Sequence, residues 1–298
     1  MGNVIKKIAK TLLLFLVILV LLLSALTGYV FWDNSRVVTN RQVLTFRGLP
    51  EAFDDTIIAL ITDFHNSGNY QKVIENVKAA NPSYIFIAGD LVSMDTTDFH
   101  NTEALLKGLV EIAPVYYAYG NHEIWSQNED DGTIAVGDLA RSLGVNVLND
   151  EVVSLEKNGE MINVVGIRDL PYPDGDDHYT DHMMEKVNQL ALKLDPNTFT
   201  IGLFHRANQA DLLEELPCNL ILSGHTHGGH VNLPGIQDKI LETHMGGEVK
   251  YVKGLYKLSD RQIMVSSGVG VEDNLPRVFN TPEVVVIRLN LAWKDGRP

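Results

Sequence analysis

Two hydrophobic patterns divide this 298-residue chain. Residues 11–31, TLLLFLVILVLLLSALTGYVF, carry no charge and are apolar on every helical face. Their length matches the roughly 20 apolar residues that cross a bilayer. A helix apolar all round belongs in a large core or in a membrane, and the position at the extreme N-terminus selects the membrane. A cleaved signal peptide would have an apolar region of about 7–15 residues and a small-x-small site, which Ser24-Ala25-Leu26-Thr27-Gly28 fits poorly. The segment reads as an uncleaved signal anchor. Lys6, Lys7 and Lys10 precede it, whereas only Arg36 follows closely, beside Asp33. That bias predicts a single-pass protein of the cell membrane, with residues 1–10 cytoplasmic and the remaining chain extracytoplasmic. Lys6 occupies the position where an N-myristoylation signal needs Ser or Thr, which excludes lipidation at Gly2.

Beyond Asn34, strand-like apolar runs alternate with helical periodicity. The strands are IIALIT (57–62), YIFIAG (84–89), VYYAYG (115–120), INVVGI (162–167), FTIGLF (199–204) and NLILSG (219–224). Helical spacing predicts helices over 70–80, 102–112, 134–143, 181–194 and 209–216. Residues 32–50 form a connector with an edge strand at 43–46, and 51–298 form one α/β domain. After Gly229 the helical patterns stop. The runs GEVKYVKGLYKL, RQIMVSSGVG and EVVVIRLNL then predict a second sheet packed on the first.

Composition narrows the partners. Residues 1–36 hold four of the 24 Lys/Arg and one of the 38 Asp/Glu, so the remainder carries a net charge of −17. Nucleic-acid binding needs a basic face, so no nucleic-acid partner is expected. A small phosphorylated substrate remains compatible, because bound cations supply local positive charge. Cys218 is the only cysteine, which excludes an intramolecular disulfide framework.

Five strands finish on polar residues: Asp63-Phe64-His65, Asp90, Asn121-His122-Glu123, His205 and His225-Thr226-His227. In open α/β sheets the carboxyl ends of strands form the ligand crevice, so these groups are predicted to converge. Carboxylate, imidazole and amide oxygen suit divalent Mn, Fe or Zn, and the absence of thiolates argues against a closed structural zinc site. Asp63, His65, Asp90, Asn121, His205, His225 and His227 exceed what one four-coordinate metal uses. Two metals sharing a carboxylate accommodate them, and Asp90, central in the order, is the natural bridge. Each element alone is common: Gly120-Asn121 is a turn signal, and a single strand-end histidine is more often a satisfied polar residue. The joint pattern is specific.

That series resembles the calcineurin-like metallophosphoesterases. The flanking Gly228-Gly229, Leu233-Pro234-Gly235, Gly254-Leu255-Tyr256, Ser267-Gly268-Val269-Gly270, Pro276-Arg277 and Asn280-Thr281-Pro282-Glu283 are similar to the membrane-associated bacterial YkuE/YaeI-like phosphodiesterases. The resemblance implies a two-sheet αββα sandwich behind one N-terminal transmembrane helix. It implies one metal on Asp63, His65, Asp90 and His227, and a second on Asp90, Asn121, His205 and His225. His122 would stay unligated near the leaving group as the catalytic residue. The implied reaction is phosphodiester or pyrophosphate hydrolysis by attack of a metal-bridging hydroxide on phosphorus, on substrates that include lipid-linked nucleotide sugars.

Three positions depart from the family text: Phe64, a packing residue; Arg206, a solvated loop residue or a phosphate contact; and His230, a lining of the turn or of the substrate rim. His100, His178, His182 and His244 match no motif and read as surface residues, and 173–178 reads as a solvated acidic loop. Trp125 and Tyr172 read as packing or cleft-lining aromatics. The alternative functions are a non-catalytic metal- or cell-wall-binding protein that retains the fold, and a metal-dependent amide or ester hydrolase.

Overall fold

Alternation of side chains along each strand sorts the apolar residues of this protein into distinct layers. A computed structural model describes residues 2–126, 134–173, 176–233, 241, 249–258, 260–270 and 276–292. Helix α1 (Gly2–Asn34) leads into β1 (Val38–Phe46). There follow β2 (Thr56–Ile61), α2 (Tyr70–Ala80), β3 (Tyr84–Ala88), α3 (His100–Val110), β4 (Val115–Ala118), α4 (Asn121–Trp125), α5 (Ala135–Ser142) and β5 (Asn146–Val147). The second half contributes β6 (Glu151–Lys157), β7 (Glu160–Ile167), α6 (Asp177–Ala191), β8 (Thr200–Arg206), β9 (Leu220–Gly224), β10 (Gly254–Lys257), β11 (Gln262–Val265) and β12 (Glu283–Leu291).

The strands form two six-stranded sheets, ordered β1-β12-β2-β3-β4-β5 and β10-β11-β9-β8-β7-β6. Ile58, Leu60, Phe86 and Ala88 of the first meet Ile201, Leu203, Leu220 and Leu222 of the second in a buried core. The intervening residues Ala59, Ile61, Ile85 and Ile87 face outward, against Val73 and Val77 of α2 and Leu105 and Leu109 of α3. On the other side, Phe204 and Ile221 pack with Met183, Val187 and Leu190 of α6. The result is the expected αββα order, with both faces of each sheet covered as parallel strands require.

The division of strands between the sheets differs from expectation. The second sheet is built on β7, β8 and β9, and β12 returns to the first, between β1 and β2. Fully buried parallel strands are continuous apolar runs on both faces, so their sequences do not say which sheet they join. β1 starts earlier than expected and pairs in parallel along its whole length with β12, from Val38↔Glu283 to Phe46↔Leu291. β6 was not anticipated, although its signal exists: Asn158-Gly159, with φ of 53° and 82°, makes the left-handed turn that Asn-Gly favours between β6 and β7. The helix expected at 209–216 is a 3-10 segment, Ala207–Leu213. α6 begins ahead of the expected 181, capped by Asp176, whose side chain accepts from His178 N at 2.8 Å.

Phe86 is fully buried between the sheets. Phe86→Ala is expected to lower the unfolding free energy by about 3–5 kcal/mol, read by chemical denaturation.

Candidate metal centre

β2, β3 and β4 of one sheet and β8 and β9 of the other end at the same edge of the sandwich. Asp63 and His65 follow β2, Asp90 follows β3, Asn121 and His122 open α4 after β4, His205 lies near the end of β8, and His225 and His227 follow β9. The crevice therefore lies between two sheets rather than at the switch point of one. All eight predicted residues meet there. Asp63, His65, Asp90, Asn121, His205 and His227 are buried, while His122 and His225 are partly exposed.

After β2, β3 and β9 the chain turns these side chains inward by reversing sharply. Asp63, His65, Asp90, His225 and His227 all have positive φ, between 47° and 74°. For non-glycine residues this conformation costs roughly 1–2 kcal/mol each, so the surroundings must hold it. His65 N donates to Asp90 O at 3.0 Å and Gly270 N to Asp63 O at 2.8 Å. The carboxylates are oriented too: His225 N donates to Asp63 Oδ1 at 2.9 Å and His122 N to Asp90 Oδ1 at 3.1 Å. Gly120 and Gly224 are required by close approach, since a Cβ on them would collide with Asp90 Oδ1 and Asp63 Oδ2 respectively.

Three overlapping groups bring their ligand atoms within 4.8 Å of one another: Asp63, His65 and His227; His65, Asp90 and His122; and Asp90, His205 and His225. His205 ties the two sheets together. Its Nδ1 lies 2.8 Å from Ala88 O at the end of β3, and its Nε2 faces Asp90 Oδ2 at 2.9 Å. Burial opposes charge on this ring, but Asp90 and Asp63 outweigh it and push its pKa up to about 10. The reverse holds for His65 and His227. Burial lowers His65 to about 3, and burial with Arg277 holds His227 well below the usual imidazole range, so both rings are neutral. Burial also raises Asp63. It opposes ionisation of Asp90 as well, yet His205, by its charge and its hydrogen bond, holds that carboxyl below the usual range. Asp63 Oδ2 and Asn121 Oδ1 are buried without a hydrogen-bond partner. Such atoms, beside neutral imidazoles, fit a site that could hold divalent cations.

His122 is oriented differently. Met94 N donates to its Nδ1 at 3.1 Å, which leaves Nε2 as the ring's donor nitrogen, 3.9 Å from Asp90 Oδ2. Glu123, unassigned by the sequence although it completes Gly-Asn-His-Glu, is buried beneath the site. It accepts from Gly120 N, Asp90 N, Leu91 N and Val92 N at 2.7, 2.9, 2.6 and 3.3 Å. Burial and then Asp90 raise its pKa to about 7.

Arg206 is not solvated. It is fully buried, donates from Nε to Asp169 Oδ2 at 2.7 Å, and lies over the Tyr179 ring at 4.7 Å. His230 is buried and stacks on His227, centroids 4.6 Å apart. Trp125 is exposed beside His122, centroids 5.6 Å apart, whereas Tyr172 sits between His178 and His182. Pro234, Gly235, His244 and residues 174 and 175 of the acidic loop lie outside the described residues.

With this geometry in view, the calcineurin-like phosphoesterase family model matches residues 56–229, more than half of the chain. The chain belongs to the calcineurin-like phosphoesterase family. Membership makes it a metallophosphoesterase, a hydrolase of phosphoester bonds. It is 26% identical to the metallophosphoesterase YkuE of Bacillus subtilis over 88% of this chain and 89% of that one. It is 26% identical to the phosphodiesterase YaeI of Escherichia coli over 70% of each. An uncharacterized metallophosphoesterase of Campylobacter jejuni is 29% identical over 81% of this chain, which spans only 61% of that longer relative. These likenesses agree with the YkuE/YaeI-like resemblance carried by the flanking motifs.

Within this metallophosphoesterase, Glu123→Gln replaces a pure acceptor by a group whose NH2 opposes the backbone donors. It is expected to lower the unfolding free energy by about 2–3 kcal/mol, measured by thermal melting.

Proposed function

We propose that this protein, held in the cell membrane by α1 with its N-terminus cytoplasmic, hydrolyses phosphodiester or pyrophosphate bonds outside that membrane. Asp63, His65, Asp90 and His227 hold one divalent ion, and Asp90, Asn121, His205 and His225 hold the other. The observation that carries this reading is the convergence of Asp63 and Asp90 with five imidazoles at one edge of the sandwich, together with two buried acceptors, Asp63 Oδ2 and Asn121 Oδ1, that have no hydrogen-bond partner. A buried carboxylate oxygen without a donor is costly unless a cation covers it. Oxygen and nitrogen donors without thiolate suit Mn, Fe or Zn.

Two such cations supply charge to the phosphoryl oxygens and lower the pKa of water. The chain's own contributions are separate. His122 presents its Nε2–H toward the leaving-group oxygen and hydrogen-bonds the negative charge that develops there as the bond breaks. Glu123 fixes the backbone from which Asp90 projects. The helix of 33 residues, apolar enough to cross a membrane, supports placement at the membrane, and the lysines ahead of the span support the orientation. The acidic remainder of the chain supports a small phosphorylated or lipid-linked substrate rather than nucleic acid.

His122→Ala is expected to lower kcat on bis-p-nitrophenyl phosphate by about 10²–10⁴-fold with metal content unchanged. Wild-type turnover in that variant would remove His122 from the mechanism. A second check uses protons. His205, at about 10 in the metal-free site, is charged in neutral buffer and must lose its proton to become a ligand. Metal loading at about pH 8 is expected to release protons, and metal affinity to rise with pH up to about 10. Calorimetry in buffers of different ionisation enthalpy reads both; binding without proton release would exclude His205 as a ligand.

A further inference from the structure

The last residue of the apolar helix is hydrogen-bonded into the segment that grips His227. Asn34, at the end of α1, donates from Nδ2 to Arg277 O at 2.7 Å and accepts at Oδ1 from Arg277 N at 3.1 Å. Its amide thus pairs with both backbone groups of Arg277, as a neighbouring strand would. Asn34 O in turn accepts from Asn69 Nδ2 at 3.0 Å. One residue earlier, fully buried Asp33 accepts from Thr281 Oγ1 at 2.8 Å and pairs with Arg36. One turn earlier, Tyr29 packs on Phe279, centroids 5.3 Å apart. The helix end is therefore docked on residues 277–281 at three points, and only residues 35–37 separate it from β1.

The same segment holds His227 from the other side. Arg277 is buried; its Nη2 donates toward His227 Nδ1 at 3.1 Å, its Nη1 to His227 O at 3.3 Å, and its Nε to Gly270 O at 2.7 Å. Asn280 Nδ2 also donates to His227 O, at 2.6 Å. His227 has a φ of 47° and Gly228 a φ of 59°, a strained turn that needs such bonds to persist. Nothing in membrane anchoring alone calls for this chain of contacts, since a flexible tether would retain the domain equally well.

We propose that α1 is part of the active-site scaffold, and that Asn34 is a positioning residue acting through Arg277 on His227. The proposal rests on the reading of His227 as a metal ligand. Residues that orient a ligand typically change metal affinity or activity by about 10–100-fold when lost.

The test uses the full-length protein in detergent micelles, with Mn²⁺ titrated into metal-free protein and free Mn²⁺ followed by electron paramagnetic resonance. Turnover of soluble bis-p-nitrophenyl phosphate is measured beside it. Asn34→Ala is expected to weaken Mn²⁺ binding about 10-fold and to lower kcat about 10-fold with little change in KM. Asn34→Asp keeps the acceptor for Arg277 N and loses the donor to Arg277 O, so an intermediate loss is expected; it carries the test should Asn34→Ala fail to fold. Leu16→Ala, exposed in the middle of α1, is expected to change neither quantity. Wild-type affinity and kcat in Asn34→Asp and in any folded Asn34→Ala, with weakened binding in His227→Ala, would overturn the positioning role alone. Wild-type affinity in His227→Ala as well would overturn the ligand assignment beneath it.

Discussion

Two carboxylates, Asp63 and Asp90, are buried together where the ends of two sheets meet, and the architecture around them answers to that constraint. Desolvation and mutual repulsion both oppose their ionisation. The protein surrounds them with groups that can turn a proton inward: His205 at hydrogen-bonding distance and the backbone amides of His122 and His225. Five left-handed residues and two closely approached glycines are the local cost of aiming so many polar groups at one point. Such strain persists only where the surrounding bonds over-determine it.

Those bonds come from elements far apart in sequence. His205 crosses from β8 to the end of β3, Glu123 ties the start of α4 to the backbone after β3, and Arg277 reaches His227 from the loop before β12. β12 lies between β1 and β2, and β1 continues almost directly from the apolar helix. The crevice is thus braced by both sheets, and the helix end is joined to the segment that supports it. Arg206 and Asp169 form a comparable buried pair nearby, which explains an arginine where a solvated loop residue was expected.

Much of the site was legible because its residues sit at strand ends in a fixed order, and strand ends are visible as the points where apolar runs stop. Asp63, His65, Asp90, Asn121, His122, His205, His225 and His227 all lie at such points. Glu123, Arg277 and Asn280 were not assigned roles, because a buried residue that serves backbone amides or carbonyls carries no spacing signature. The hairpin joining β6 and β7 did carry one, in Asn158-Gly159. His230 stayed ambiguous because stacking on another ring depends on the course of the turn rather than on residue type.

The sequence by itself determined the apolar span, the buried strands, the helices between them and the set of polar residues delivered to the strand ends. These follow from local periodicity and composition, which need no knowledge of distant partners. Only the tertiary structure decided which sheet each strand joins, which nitrogens of His122, His205 and His227 are held by the surrounding chain, and that the helix end grips Arg277. Continuous apolar strands are interchangeable until the sheets pack, and a ring or guanidinium acquires direction only from its neighbours in space.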